Sequence, residues 1–192
     1  MMAGKWLRTF CDLVIDAGID RKVVFGCNMR FDGPDEALYR KMKEANFRFI
    51  LYGLESANQA TLDRIDKGLT PAQIEEGARM CKAAGLEPHV TVMLGYPWES
   101  REDAQRTIDF AKDLFKKGYI DTLQATICIP YPGSPLYEEC RKNGWLRTEA
   151  YEDYDMRAPV MTSPISDSEL MGLTQQLYTS FLNPRFILRK IL

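Results

Sequence analysis

The chain has 192 residues, of which 45% are hydrophobic and 27% charged, a composition typical of a folded globular domain and not of a disordered chain. Its 25 basic and 27 acidic side chains give a formal charge of -2, which argues against a nucleic-acid-binding protein. No apolar run approaches the roughly 18 residues that span a bilayer, and the N-terminus MMAGKW lacks the apolar core of a signal peptide. We therefore expect one cytoplasmic domain with no membrane span.

The first half of the chain alternates helical and strand patterns. A helix over 5–17 ends at Gly18. Its apolar face comprises Phe10, Leu13, Val14 and Ala17. A buried strand over 23–28, a helix that opens at Pro34, and a strand over 47–53 follow.

The alternation continues through the middle of the chain. A capping box at 70–73 opens a helix that ends at Gly85. A strand over 89–95, a helix that begins at Ser100 and a strand over 122–129 come next. Crossovers of this length between strands predict parallel strands covered by helices.

The pattern changes after Pro132. We expect a short helix over 134–143, an irregular segment over 145–165, and a helix that opens with a capping box at Ser166 and Glu169. Asn183 and Pro184 break that helix, and a short basic amphipathic piece closes the chain.

The cysteines do not form a recognisable framework. They are Cys11, Cys27, Cys81, Cys128 and Cys140. Their odd number, wide spacing and lack of a Cys-x2-Cys pair indicate free thiols in a reducing compartment. The single histidine, His89, lies in an apolar strand pattern, so a structural zinc site or a His-dependent nucleophile is disfavoured.

Ligands of parallel α/β domains bind at the carboxyl ends of the strands. The segments that follow the four predicted strands are all polar or shaped by Gly and Pro; they are 28–32, 53–56, 94–100 and 129–137. Among their features are an arginine, a carboxylate, a Gly-x-Pro turn and a proline-rich edge. This set suits a polar zwitterionic or nucleoside ligand and does not by itself name a reaction.

Three segments, in order, resemble a known family: they are GLESANQATLDRIDKG, MLGYPWESREDAQRTIDFAKDL and IPYPGSPLYEE. They are similar to the later half of a radical S-adenosylmethionine (SAM) domain, in the branch of methylthiotransferases, anaerobic magnesium-protoporphyrin cyclases and cobalamin-dependent methyltransferases. The ending YTSFLNPRFILRKIL resembles the tail of the cobalamin-associated group. The resemblance implies an α/β fold, a TIM-like partial (β/α)6 barrel fragment of about four parallel strands with outer helices over 1–143, followed by an irregular segment and helical tail over 144–192.

The resemblance also implies which residues contact SAM. Glu55 would accept hydrogen bonds from the ribose hydroxyls, or would simply neighbour a helix N-cap. Lys67 would pair with the methionine carboxylate, or would be a solvated lysine at a helix end. Arg30, with Asn28, would bind carboxylate or ribose oxygens, or would form a surface ion pair. Ser56 would support the same ligand, or would cap the following helix.

Five further positions complete the implied site. Gly95 and Pro97 would shape the wall against the adenosine, and Thr91 would point towards the ribose or belong to the core. The segment from Ile129 to Tyr131 would form the edge against which adenine packs, largely through its backbone. The alternative for the Tyr131 side chain is a role in packing alone.

The family's cluster loop, Cys-x3-Cys-x2-Cys, does not occur in this sequence, and no cysteine substitutes for it by spacing. The intact enzyme would use SAM and a [4Fe–4S] cluster, with cobalamin possible through an upstream domain. We expect this chain to be the C-terminal portion of such an enzyme, inactive alone, with no catalytic or metal-ligating residue of its own.

Two other interpretations stay open. The chain is a stand-alone subunit or relic whose exposed first strand pairs with a partner that supplies the missing βα units. Self-association of two copies through that open edge would instead favour the interpretation as a fragment. Alternatively, the chain is an unrelated small α/β enzyme that uses Glu55 and Arg30 for acid–base chemistry. The small-molecule substrate cannot be identified from the sequence.

Overall fold

The computed structural model describes residues 3–181, and these form helices around a four-stranded sheet. In chain order the elements are α1 (Ala3–Asp16), β1 (Phe25–Met29), α2 (Glu36–Glu44), β2 (Phe47–Glu55), α3 (Gln59–Arg64), α4 (Pro71–Ala83), β3 (Glu87–Leu94), α5 (Arg101–Lys116), β4 (Thr122–Ile127), α6 (Pro135–Lys142), a 3-10 turn (Tyr151–Asp153) and α7 (Asp167–Phe181). The predicted break at Asn183 and the basic end of the chain lie outside the described residues.

The strands follow one another across the sheet in the order β1, β2, β3, β4. β1 runs parallel to β2, with Cys27 opposite Ile50 and an irregularity between Phe25 and Gly26. Helices connect the successive strands, as parallel pairing requires. This arrangement confirms the predicted α/β architecture of a partial barrel with four parallel strands and outer helices.

Two compact units share these elements. The first comprises the described part of Met1–Leu54 with Gly68–Thr91 and Asp113–Gln124. The second comprises Glu55–Lys67, Val92–Lys112 and the described part of Ala125–Leu192. The division at residue 143 that the sequence indicates stays a prediction.

The buried face of α1 differs from the predicted one. Its core positions are Leu7, Cys11 and Val14. Leu13 is 63% exposed, Ala17 is exposed, and Phe10 is half-buried against Trp6 and Phe25. The helix carries two apolar stripes, and the predicted set mixes residues of both.

The first strand also begins later than predicted, at Phe25, and Val24 before it is 60% exposed.

Local capping signals position the helices as expected. Asp35 accepts from the Leu38 amide at 2.7 Å at the start of α2. Thr70 forms the capping box of α4, with Pro71 in the first turn, and Ser134 caps α6. The Ser166 capping box opens α7.

Two strand ends differ from the predicted ends in ways that matter for the site. β2 continues for two residues beyond Gly53, so Glu55 is its last residue. β4 stops at Ile127, so Cys128 and Ile129 follow the strand instead of belonging to it.

Candidate functional site

The second unit contains a cavity of about 470 Å³ that four of the predicted site residues line. These are Glu55, Lys67, Ile129 and Tyr131. The volume lies in the range of small-molecule sites, roughly 300–1,000 Å³. The wall is built from the end of β2, the turn after α3, the ends of β3 and β4, and the start of α6.

Glu55 has an unusual backbone and an incompletely paired carboxylate. Its φ of 62° lies in the left-handed region, which costs a residue other than glycine about 1–2 kcal/mol. Its side chain is 16% exposed, and Oε1 accepts from Lys67 Nζ at 2.9 Å. Oε2 is buried with no hydrogen-bond partner among residues 3–181. A buried carboxylate oxygen without a hydrogen-bond donor is unfavourable, so this atom calls for an explanation.

The chain brings Lys67 back to Glu55 through a tight turn after α3. Asp66 takes a left-handed φ of 52°, and the Lys67 amide donates to the Leu62 carbonyl at 2.8 Å. The Lys67 side chain is only 17% exposed, so the alternative of a solvated lysine is wrong. The two residues therefore form an ion pair in the cavity wall. They are twelve residues apart in the sequence, and this pairing was not predicted.

An aromatic surface forms another part of the wall. Trp98 stacks on Tyr96 with ring centroids 5.2 Å apart, and the Arg64 guanidinium lies 3.9 Å from the Trp98 ring centroid. Arg64 also forms an ion pair with Glu139. Neither Trp98 nor Arg64 is among the site residues predicted from the sequence. The signal available for Trp98 was its place in the Gly-x-Pro turn segment.

The segment after β4 lines the cavity with Cys128, Ile129 and Tyr131. The Cys128 amide donates to the Leu94 carbonyl at 2.8 Å, so strand pairing extends beyond β4. Burial, followed by the nearby Cys140, Glu99 and Glu55, raises the pKa of Cys128 to about 12. The thiol is therefore protonated at neutral pH.

Ser56, Gly95 and Pro97 lie beside the cavity-lining residues and shape their loops. Ser56 is fully buried and donates to Glu99 Oε1 at 2.7 Å. The N-cap of α3 is Asn58, so the interpretation of Ser56 as the cap is wrong. Gly95 has a φ of 89°, and a Cβ there would lie 3.0 Å from Leu170. Pro97 lies in the turn that follows it.

The other predicted site residues belong to the first unit. Asn28 and Arg30 line a separate cavity of about 540 Å³, and Arg30 pairs with Asp32 at 3.0 Å. The Thr91 hydroxyl donates to the Tyr52 carbonyl at 3.4 Å. Their contacts with a ligand stay predictions.

Metal ligands do not converge in the described part of the chain. Between residues 3 and 181 no three His, Cys, Asp or Glu side chains lie close enough together to hold a metal ion. The five cysteines are free, as predicted. Over the same residues no helix is both long and apolar enough to cross a bilayer.

Comparison with known proteins identifies the family. The model of the radical SAM superfamily matches residues 6–111. An uncharacterised methyltransferase of Pyrococcus horikoshii is 34% identical over 176 residues, which are 91% of this chain and 37% of the relative. A bacteriochlorophyllide d C-8(2)-methyltransferase of Chlorobaculum tepidum is 30% identical over 147 residues, 75% of this chain and 31% of the relative. The chain thus spans about a third of the length of the curated relatives it matches.

Solved structures share the fold. A radical SAM methyltransferase from Kitasatospora setae, determined with cobalamin and a [4Fe–4S] cluster bound, superposes with a TM-score of 0.67 at 14% identity. The match covers 93% of this chain and 40% of that one. Coproporphyrinogen III oxidase of Escherichia coli gives a TM-score of 0.60 at 12% identity, over 82% of this chain and 32% of that one.

Proposed function

Because the chain belongs to the radical SAM superfamily and is related to its methyltransferases, we propose that it is the part of a SAM-dependent enzyme that holds the nucleoside and amino-acid moieties of SAM. The cavity of the second unit is the proposed site. In this superfamily the bound cofactor supplies radical or methyl-transfer chemistry, and the protein supplies binding and orientation.

Glu55 carries the proposal. A carboxylate accepts hydrogen bonds and donates none, so it suits a pair of vicinal hydroxyls. Its Oε2 is buried and lacks a partner, and the left-handed backbone that places it there is the kind of strain that persists at ligand sites. We therefore assign the ribose hydroxyls of SAM to Glu55.

The other cavity residues take complementary roles. Lys67 is proposed for the methionine carboxylate, because an ammonium has three donors and its bond to Glu55 does not exclude a second acceptor. Ile129 and Tyr131 are proposed as the edge for adenine, and the turn at Gly95 and Pro97 as the adjoining wall. Ser56 is proposed as a supporting residue beside this cavity. The contacts of Asn28, Arg30 and Thr91 with SAM stay predictions.

The residues present fit SAM and do not fit the cluster. A [4Fe–4S] cluster needs convergent thiolates. The described residues contain no such group, and the five cysteines are spread along the sequence. We propose that cluster ligands come from outside these 192 residues, so that this chain does not catalyse the reaction by itself.

Methyl transfer is the proposed reaction class of the intact enzyme. Both relatives with at least 30% identity are named methyltransferases. Cobalamin is proposed as a further cofactor, bound outside this chain, because a structural neighbour holds it. The family match contradicts the interpretation as an unrelated small α/β enzyme.

Calorimetric titration of the purified chain with SAM tests the proposal. Glu55→Ala is expected to weaken binding at least about tenfold, because one or more hydrogen bonds to a charged group are lost. Glu152→Ala, an exposed carboxylate in the 3-10 turn of the same unit, serves as the control and should bind like the wild type. Unchanged affinity in Glu55→Ala would overturn the assignment.

The open edge of the sheet favours a second candidate function, association with a partner that supplies further βα units. β1 is the end strand of the described sheet, and large apolar side chains near it are exposed, among them Trp6 at 65% and Val24 at 60%. An unpaired strand edge promotes pairing with another strand. Size-exclusion chromatography with light scattering tests the self-association that such an edge would also permit: a mass of 22.0 kDa at all concentrations would argue against pairing of two copies through the edge.

A further inference from the structure

Glu99 is a buried carboxylate that does not line the cavity. It lies in the turn between β3 and α5 and is 1% exposed. Its Oε2 has no hydrogen-bond partner within the described residues, and no lysine or arginine there forms an ion pair with it. Burying a carboxylate under these conditions is unfavourable unless the other oxygen is strongly bound.

Glu99 Oε1 accepts three hydrogen bonds from one short stretch of chain. The donors are Ser56 Oγ at 2.7 Å, Thr61 Oγ1 at 2.7 Å and Asn58 Nδ2 at 3.2 Å. The buried serine, threonine, asparagine and glutamate side chains of the described residues all belong to this network: Ser56, Asn58, Thr61, Glu99 and Thr107. All five lie in the second unit.

The network lies directly behind two cavity-lining side chains. Ser56 immediately follows Glu55, and Thr61 Oγ1 accepts from Trp98 Nε1 at 3.2 Å. Glu99 in turn immediately follows Trp98. One carboxylate oxygen thus ties the end of β2, the start of α3 and the turn after β3 together.

Only a carboxylate fits this role well. Three donors converge on one oxygen, and a carboxylate oxygen is the strongest acceptor among side chains. A glutamine in its place would present a weaker carbonyl acceptor and would add two donors where Oε2 now lies. The acceptor strength of a carboxylate oxygen thus suits the three donors around it.

We propose that Glu99 is a positioning residue, which fixes the segment from Ser56 to Thr61 and thereby holds Glu55 in its left-handed conformation, with its carboxylate ready for the ribose diol. A left-handed glutamate persists only where its surroundings enforce it. The inference rests on the proposed role of Glu55, and it adds the residue that sets the geometry of that role.

The test compares the affinities of adenosine and 2′,3′-dideoxyadenosine, whose ratio isolates the contribution of the diol. We expect the wild type to bind adenosine about tenfold more tightly. Glu99→Ala should bring this ratio close to one, as Glu55→Ala does, and Glu99→Gln should give an intermediate ratio. The double variant should match Glu55→Ala, because Glu99 acts through Glu55. Ile108→Ala, a buried truncation on α5, controls for lost stability and should keep the wild-type ratio.

Failure of the inference is distinguishable from failure of the proposed function. A wild-type ratio of one would overturn the role of Glu55, and the inference with it. A ratio that is lost in Glu55→Ala but kept in Glu99→Ala or Glu99→Gln would overturn the inference only.

Hydrogen–deuterium exchange without ligand provides a second readout that does not depend on binding. The amides of 55–61 should exchange at least about tenfold faster in Glu99→Gln, which keeps an acceptor and is the variant expected to fold, and should remain protected in Ile108→Ala. Wild-type exchange over this segment in the Glu99 variant would contradict the positioning role.

Discussion

The ion pair between Glu55 and Lys67 makes a quantitative prediction for stability. The atoms are 2.9 Å apart, and the side chains are 16% and 17% exposed. Breaking a fully buried pair by removing one partner costs about 3–5 kcal/mol, and an exposed pair is worth about 0–1 kcal/mol. For this degree of burial we expect Lys67→Met to lower the free energy of unfolding by about 2–3 kcal/mol, because it leaves the carboxylate without its cation.

Glu55→Gln is expected to cost less, about 1 kcal/mol, because the flexible lysine stem lets the ammonium reach water. The double variant Glu55→Gln with Lys67→Met should then be more stable than Lys67→Met by about 1–2 kcal/mol. Urea unfolding followed by circular dichroism measures all three, with equal slopes as the check that unfolding remains comparable. Lys117→Met, which removes an exposed lysine paired with Glu75 and Asp113, is the control and should lower stability by no more than about 1 kcal/mol.

Strict additivity of the two single changes would refute the argument, since coupled neighbours in one ion pair cannot be independent. So would a Lys67→Met protein as stable as the wild type, because it would mean that water already screens the pair.

Two further predictions concern packing and ionisation. Gly77→Ala should lower the unfolding free energy by about 1–2 kcal/mol, because the new Cβ would lie 2.7 Å from the Phe31 carbonyl oxygen. This loss would outweigh the higher helix propensity of alanine. Gly172→Ala, where no atom lies within 4 Å of the new Cβ, should raise the unfolding free energy by about 0.5–1 kcal/mol. Thermal unfolding compares the two, and stabilisation by Gly77→Ala would contradict the close approach. The Cys128 thiol has a pKa of about 12, so at pH 8 it should react with iodoacetamide about a thousandfold more slowly than a free thiol. Mass spectrometry of the labelled peptide measures the rate. Rapid labelling of Cys128 in the folded chain would contradict the burial of this thiol. The pKa of Cys128 is near 9 in the unfolded chain and about 12 in the folded chain, so the folded state holds this proton more tightly. The resulting contribution to the free energy of unfolding is complete below pH 9 and is lost as the pH rises towards 12.

The sequence predicted the features that local interactions determine. The capping boxes at Thr70 and at Ser166 follow from side chains that bond to backbone within three residues, so their spacing identifies them. The buried face of α1 did not follow, because the helix has apolar residues on two sides. Leu7 is buried and Leu13 is exposed. Which apolar side of the helix is buried depends on tertiary packing, and the sequence of the helix alone does not determine it.

The candidate site shows the same division. Glu55 and Lys67 were each identified from the resemblance, but their pairing depends on the turn after α3, and the left-handed backbone at Glu55 depends on tertiary contacts. Glu99 was missed because a charged residue in a polar loop is usually exposed. Its burial depends on donors about 40 residues away in sequence, such as Ser56 at a separation of 43.

These two carboxylates differ in what their free oxygens imply. Both Glu55 and Glu99 have a buried Oε2 without a partner among the described residues, but only Glu55 lines the cavity. A ligand in the cavity would therefore lie beside Glu55 and not beside Glu99, and under the proposed assignment its binding would recover part of the cost of burying the Glu55 oxygen. The cost at Glu99 is recovered by no ligand in the cavity and must be offset by its three hydrogen bonds to the loop. Such a network fixes one geometry before the ligand arrives, and a preorganised site loses less entropy on binding.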